Sequence, residues 1–196
     1  MFKAQFQSFE ERASPGKGPE RLAALRAELA RRGLDGFLVT TADQHQNEYV
    51  PACEERLAWL TGFTGSLGTA VVQQDKAVLF VDGRYTLQAK DQVDGKAFAF
   101  GHLVERPPHE WIAEHLPKGA KFGFDAWRTT LDGAERLQKA VERAGGTLVA
   151  ASDNPLDAIW QDRPAAPLTP ATLHDLKFAG EAAAEKLKRK IGRAHV

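Results

Sequence analysis

Between residues 22 and 162 the apolar positions switch repeatedly between the period of a helix and that of a strand. Leu22, Leu25 and Leu29 recur at helical spacing and Gly33 supplies a left-handed stop, which predicts a first helix. Gly36-Phe-Leu-Val-Thr40 then reads as a buried strand, so the chain opens with a helix-to-strand step of an α/β layer. Residues 54–60 read as a short helix. The runs Thr69-Ala-Val-Val72 and Ala77-Val-Leu-Phe-Val81 flank the polar turn Gln73-Gln-Asp-Lys76 and predict an antiparallel hairpin. That hairpin argues against an all-parallel sheet.

The alternation continues with helical character over residues 85–93, a strand over 97–103 and a helix over 108–116 with Pro108 in its first turn. Residues 121–124, 131–144 and 147–151 read as strand, helix and strand, with Gly145-Gly146 ending the helix, and residues 154–160 as a last short helix. The sum is an α/β fold: a mixed sheet of five or six strands with helices on both faces. The expected domain occupies residues 22–162. Residues 1–21, which include Ser14-Pro-Gly-Lys-Gly-Pro19, read as a flexible lead-in. Arg163-Pro-Ala-Ala-Pro-Leu-Thr-Pro170 reads as a semi-rigid linker. Residues 163–190 then hold the linker and the start of a truncated second domain, helix-prone over 180–190, with Glu185 four residues before Arg189.

Composition narrows the class. The 196 residues are 43% apolar and 27% charged, enough for a soluble domain with a sizeable core. The 26 Lys plus Arg balance 26 Asp plus Glu, so no net charge attracts phosphate backbones or anionic lipid, and neither nucleic acid nor membrane is an expected partner. Cys53 is the one cysteine, which precludes an intrachain disulfide and fits a reducing compartment. The charged and amide-rich N-terminus is unlike a signal peptide, and no run approaches a membrane span of about 20 residues. A cytoplasmic location follows as the expectation.

The chemistry is concentrated between residues 43 and 88. Gly62-Phe-Thr-Gly-Ser-Leu-Gly68 invites comparison with a phosphate loop, but it leads into a strand, whereas a dinucleotide fingerprint follows a strand and opens a helix. A tight glycine-dependent turn is the better reading. Ser66 lacks the glycine two residues earlier that a nucleophile elbow needs, because Thr64 stands there. His45, His102, His109 and His115 include no i, i+4 pair, so no helical metal site is read from them. Cys53 precedes Glu54 and Glu55, whose charges oppose a thiolate, and reads as inert. Arg84, in Asp82-Gly-Arg-Tyr85, reads as pairing with Asp82 or Asp43 at a strand-to-helix corner. Trp59, beside the glycine turn, reads either as a core anchor or as an interface residue, and Trp111, Trp127 and Trp160 as packing residues.

Taken in order, these motifs resemble the N-terminal domain of aminopeptidase P, the Xaa-Pro aminopeptidases, which shares its fold with creatinase and prolidase. The resemblance is to the branch carrying Asp-x-His-Gln-x-Glu-Tyr, matched by Asp43, His45, Gln46, Glu48 and Tyr49. It runs on through Thr61-Gly-Phe-Thr-Gly-Ser66 and Asp82-Gly-Arg-Tyr-x-x-Gln88, and resumes at Asn154-Pro-Leu-Asp-Ala-Ile-Trp160 and Asp162-Arg-Pro164. It covers residues 22–184. The resemblance implies a separate C-terminal catalytic domain in which two Asp, one His and two Glu hold two divalent ions, usually manganese, that activate water against the bond preceding proline. Short proline-containing peptides are then the substrates and a homo-oligomer is expected.

The resemblance assigns no catalytic or metal residue to this chain and no cofactor to this fragment. It leaves Asp43, His45, Glu48, Tyr49, Trp59 and Arg84 as candidates for a subunit interface and for control of access to the active site. Residues 191–196 break the helical pattern without a cap and look like translated sequencing-adapter DNA, so a non-native tail is expected there. The alternative to a peptidase domain is a free-standing binding or assembly module of the same fold. A creatinase-like amidinohydrolase shares the fold but is not expected to carry His45-Gln46 and Asp82-Gly-Arg-Tyr85 so fully.

Overall fold

A computed structural model of the chain describes residues 14–191. It divides into two units, one ending at Ala166 and one beginning at Pro167. In the first, the helix α1 spans Gly18–Arg31 and leads to strand β1, Gly36–Thr40. A 3-10 turn at Ala52–Glu54 and helix α2, Arg56–Thr61, precede strands β2, Gly68–Gln73, and β3, Ala77–Val81. Then come α3 (Thr86–Gln92), β4 (Ala99–His102), α4 (Pro108–His115), β5 (Lys121–Asp125), α5 (Leu131–Arg143), β6 (Thr147–Ala151) and α6 (Pro155–Ile159).

The six strands form one sheet in the order β4-β3-β2-β1-β5-β6. β2 runs antiparallel to both neighbours, and the β1–β5, β3–β4 and β5–β6 pairs are parallel. The mixed sheet of the sequence reading is therefore six-stranded, with the hairpin as its antiparallel element. Period-two alternation sorts the core into two layers. Phe37, Val39, Ala70, Val72, Leu79 and Val81 meet the cluster that includes Leu22 and Leu25 of α1, Leu57 of α2, Ala89 of α3 and Leu156 of α6. Leu38, Val71, Val78, Phe80, Phe122 and Phe124 meet Ile112 of α4 and Leu137 and Val141 of α5. Each such Leu or Phe, once fully buried, contributes about 1.5–3 kcal/mol.

The structure corrects several details. The lead-in is shorter than expected: Pro15–Lys17 forms a 3-10 turn and α1 already starts at Gly18, because Pro19 sits in the first helical turn, where no amide donor is required. Gln73 belongs to β2 rather than to the turn, and its amide donates to the Lys76 carbonyl at 2.7 Å. The second unit contains a four-residue helix, α7 (Leu176–Ala179), that the pattern did not reveal, followed by α8 (Ala183–Ile191). There the expected Glu185–Arg189 pair gives way to two others. Arg189 grips both oxygens of Glu181 at 2.7 and 2.8 Å, a geometry the planar guanidinium favours, and Glu185 takes Lys188 at 2.8 Å. Residues 1–13 of the lead-in and 192–196 of the expected tail lie outside the described residues.

Candidate functional site

Register explains why motifs far apart in sequence meet. β2 opposes β1 with Thr40 across from Thr69, and opposes β3 with Gly68 across from Val81. The loop leaving β1, the loop entering β2 and the turn leaving β3 consequently emerge at one end of the sheet, and they form a polar corner.

The 43–49 loop is folded around its first residue. Asp43 is buried, and its Oδ1 accepts hydrogen bonds from the amides of His45 at 2.8 Å and Asn47 at 3.0 Å while Oδ2 accepts from Asn47 Nδ2 at 2.8 Å. Burial penalises its charge, but the Asn47 amide and side chain together with the His45 amide outweigh that and hold the carboxyl below the usual carboxylate range. The tight wrap puts Gln46 at φ +56, the one positive φ outside glycine among the described residues. Its side chain donates to the carbonyls of Asp43 and Arg128, both at 3.2 Å. Asp43 is thus the loop's anchor, unavailable to Arg84.

The glycine turn is equally inward-looking. Gly62 ends α2 at φ +88, a left-handed conformation where a Cβ would stand 2.6 Å from the Gln92 carbonyl. At Gly65 a Cβ would lie 2.3 Å from Phe63 Cζ, so the absence of a side chain lets the loop close on that ring. The Phe63 amide donates to Thr61 Oγ1 and the Thr64 amide to Gln92 Oε1. Those two amides are committed within the fold. Ser66 Oγ lies 2.8 Å from Tyr85 Oη, and the Tyr85 ring meets Phe63 edge-on at 5.6 Å.

Arg84 pairs with Asp82 and not Asp43. Its Nε and Nη2 reach Asp82 Oδ2 at 3.1 and 2.8 Å, Asp82 Oδ1 accepts the Arg84 amide at 2.9 Å, and the Arg84 side-chain hydrogen bond draws the Asp82 carboxyl downward. Glu48 and Tyr49 are exposed, and with Phe63, Ser66, Tyr85 and Glu55 they line a cavity of about 300 Å³. Glu48, Ser66 and Arg84 border an adjoining hollow of about 270 Å³. The structure therefore brings Glu48, Tyr49 and Arg84 together, buries Asp43 beneath them and leaves His45 at the surface. Trp59 stands apart, stacked on Trp160 with centroids 5.4 Å apart and the Arg21 guanidinium 4.6 Å from its ring.

Trp127, read from the sequence as a core or domain-packing residue, lies outside the core and is 68% exposed. Asp125 Oδ1 accepts its amide while Arg128, one residue on, turns inward to Glu54, so the side chain between them faces out. Arg128 belongs to a network that sequence reasoning missed. Glu54 binds Arg128 and Arg163 at 2.7 and 3.0 Å and also Arg56; Asp157 holds Arg56 through both oxygens at 2.7 and 2.9 Å and Arg163 at 3.0 Å; Asp125 binds Arg128 at 2.9 Å. Asn154 caps α6 through the Leu156 amide and donates to Asp125 at 2.8 Å. Burial opposes the Glu54 charge, but Arg128 and Arg56 outweigh it and depress its pKa. The 154–163 motif is thus a structural tie, and the only signal for it was the motif itself.

Among the described residues no group of three or more His, Cys, Asp or Glu is arranged to hold a metal ion. The two divalent ions, which the resemblance places in a separate catalytic domain, find no fitting donor set among the described residues. What the corner offers is shape, charge and aromatic surface.

A six-stranded mixed α/β module with its motif residues gathered in one loop corner defines the class. Residues 21–159 match the creatinase/prolidase N-terminal domain, and the chain belongs to that family. It is 37% identical over 190 residues to a probable Xaa-Pro aminopeptidase P of Coccidioides posadasii, covering 95% of this chain and 29% of that protein. The fold is similar to an X-prolyl aminopeptidase from Caenorhabditis elegans, a cytosolic enzyme with a di-nuclear active site, at 29% identity and a TM-score of 0.77, covering 90% of this chain and 31% of the worm enzyme. It is also similar to the N-terminal domain of the cytoplasmic peptidase PepQ from Mycobacterium tuberculosis, at 31% identity and a TM-score of 0.55, over 72% of this chain and 98% of that one. The chain thus spans about three-tenths of the length of its full-length relatives, matching their N-terminal portion. No helix among the described residues is long and apolar enough to cross a membrane.

Proposed function

We propose that this chain is the non-catalytic N-terminal domain of a metal-dependent Xaa-Pro aminopeptidase that releases the residue preceding proline from short peptides in the cytoplasm. The observation that carries the reading is the match of a chain with no metal-holding cluster among its described residues to the N-terminal portion of Xaa-Pro aminopeptidases. Residues 22–162 are the domain, and residues 163–190 begin the passage to a second one. Two divalent ions, manganese by family resemblance, belong to the catalytic part of a homo-oligomeric enzyme. Glu48, Tyr49 and Arg84 at the open corner, with Trp59 on the neighbouring face, contribute to the subunit interface and narrow the approach to the active site. Asp43 supports that surface from below and His45 extends it.

The test is an assay of the purified 196-residue protein with manganese and an Xaa-Pro dipeptide or tripeptide. No turnover is expected. Metal-dependent release of the first residue by the pure chain overturns the assignment of catalysis elsewhere. Grafting residues 22–162 in place of the matching segment of the Coccidioides relative is expected to retain cleavage, and a Tyr49→Ala change in that chimera to alter KM for longer peptides more than kcat.

A further inference from the structure

The cavity at the corner has an electrostatic character of its own. The neighbouring Glu54 is satisfied by three arginines, whereas Glu48 and Glu55 line the cavity with no ion pair to any described residue. Arg84 senses Glu48, but its guanidinium is held by both oxygens of Asp82. Arg21, which borders the depression on the far side of Glu55, donates to the Trp59 carbonyl. Tyr49, Phe63 and Tyr85 share the lining with the two carboxylates; Phe63 is fully buried, and the Arg84 guanidinium lies 5.1 Å from the Tyr85 ring centroid. Tyr85 is fixed by the Ser66 hydroxyl and by edge contact with Phe63, and Tyr49 forms the rim, 81% exposed.

The geometry points to this cavity as a receptor for one arginine side chain presented by a peptide. A planar guanidinium satisfies both demands at once, stacking on aromatic faces and donating paired hydrogen bonds to carboxylates. The volume of about 300 Å³ lies at the lower end of ligand sites and suits a single side chain rather than a nucleotide or a folded segment. The Tyr85–Ser66 bond keeps a wall in place before the ligand arrives, which lowers the ordering cost of binding. This inference goes beyond the peptidase reading and does not need it.

The experiment titrates the isotope-labelled 196-residue chain with N-acetyl-L-arginine amide and, separately, with its neutral isostere N-acetyl-L-citrulline amide, following backbone amide shifts. Saturable shifts centred on Thr64, Gly65, Ser66 and Gln88 are expected for the arginine probe. Binding about tenfold weaker is expected for the citrulline probe, and for the arginine probe with the Glu48→Gln/Glu55→Gln double variant, as suits loss of charge-assisted contacts. Equal binding of the two probes by the unaltered chain overturns the proposal, as do arginine shifts scattered over the acidic surface away from the cavity. Unchanged affinity in a double variant with an unaltered unfolding midpoint does the same. Failure here leaves the peptidase assignment intact, because that one is read from turnover.

Discussion

Two charged regions of this domain lie close in sequence and behave in opposite ways. In the network around Glu54, three carboxylates face three guanidiniums, Arg56 is 2% exposed, and the charges are matched between residues up to 109 apart. At the corner, Glu48 and Glu55 have no cationic partner among the described residues, Tyr49 projects outward, and the one ion pair, Asp82–Arg84, joins residues two apart. The first region fastens the 52–56 segment to α6 and to the end of β5. The second presents groups that fold stability does not consume. Motif membership does not separate the two, because both contain residues that resemble the same family; partnering does.

The sharpest way to break the contrast is to remove Arg56. Arg56→Met removes the buried guanidinium and leaves Asp157 with one partner and Glu54 with two in a half-buried setting. Loss of one member of such a network costs about 3–5 kcal/mol, a large share of the roughly 5–15 kcal/mol typical of a domain. Urea unfolding measures it. A loss below about 1 kcal/mol would show the network to be incidental. Gly62→Ala should follow, because the new Cβ meets backbone and the φ of +88 resists any L side chain. About 1–3 kcal/mol is expected, with the Thr64–Gln92 contacts disturbed and the cavity misshapen.

Much of this fold could be read from the chain because its signals are local. The strands are short apolar runs bounded by Gly and polar turns, and the motif chemistry was already concentrated between residues 43 and 88. The network could not be read that way. Arg56 and Asp157 are 101 residues apart, and no sequence period links them. The outward direction of Trp127 could not be read for a related reason: it depends on Asp125 and Arg128, whose partners include distant residues. The start of α1 was misjudged because Gly and Pro were read as breakers, although Pro19 suits a first helical turn. α7 is one turn set by Asp175 accepting the Lys177 amide, too short to leave a periodic signature.

Acid offers a milder test that spans both regions. Glu28, gripped by Arg31 and Arg32 against its burial, has its pKa lowered to about 2, and Glu54 and Asp43 are also lowered. Folded values below the unfolded ones mean that the unfolded chain binds protons first as pH falls. The stabilisation is therefore complete above the unfolded carboxylate range of about 4 to 4.5 and is lost on descent toward pH 2. Unfolding free energy should be flat between about pH 7 and 5 and decline below that range. Glu28→Gln should flatten part of the decline. A profile of unchanged slope in that variant contradicts the assignment to Glu28.

The smallest effect is the one that most sharpens the comparison. Arg84 is 61% exposed in its side chain, its partner Asp82 is two residues away in the chain, and solvent screens the pair. Arg84→Ala, and likewise Tyr49→Ala, should leave the urea midpoint of the isolated domain within error of the parent, whereas Arg56→Met shifts it plainly. The same two corner variants should change kinetics once the domain is joined to a catalytic part, because what they remove is surface presented outward. If Arg84→Ala lowers stability as much as Arg56→Met does, the corner is a second structural tie, and the division between a region that holds the fold and one held ready by it fails.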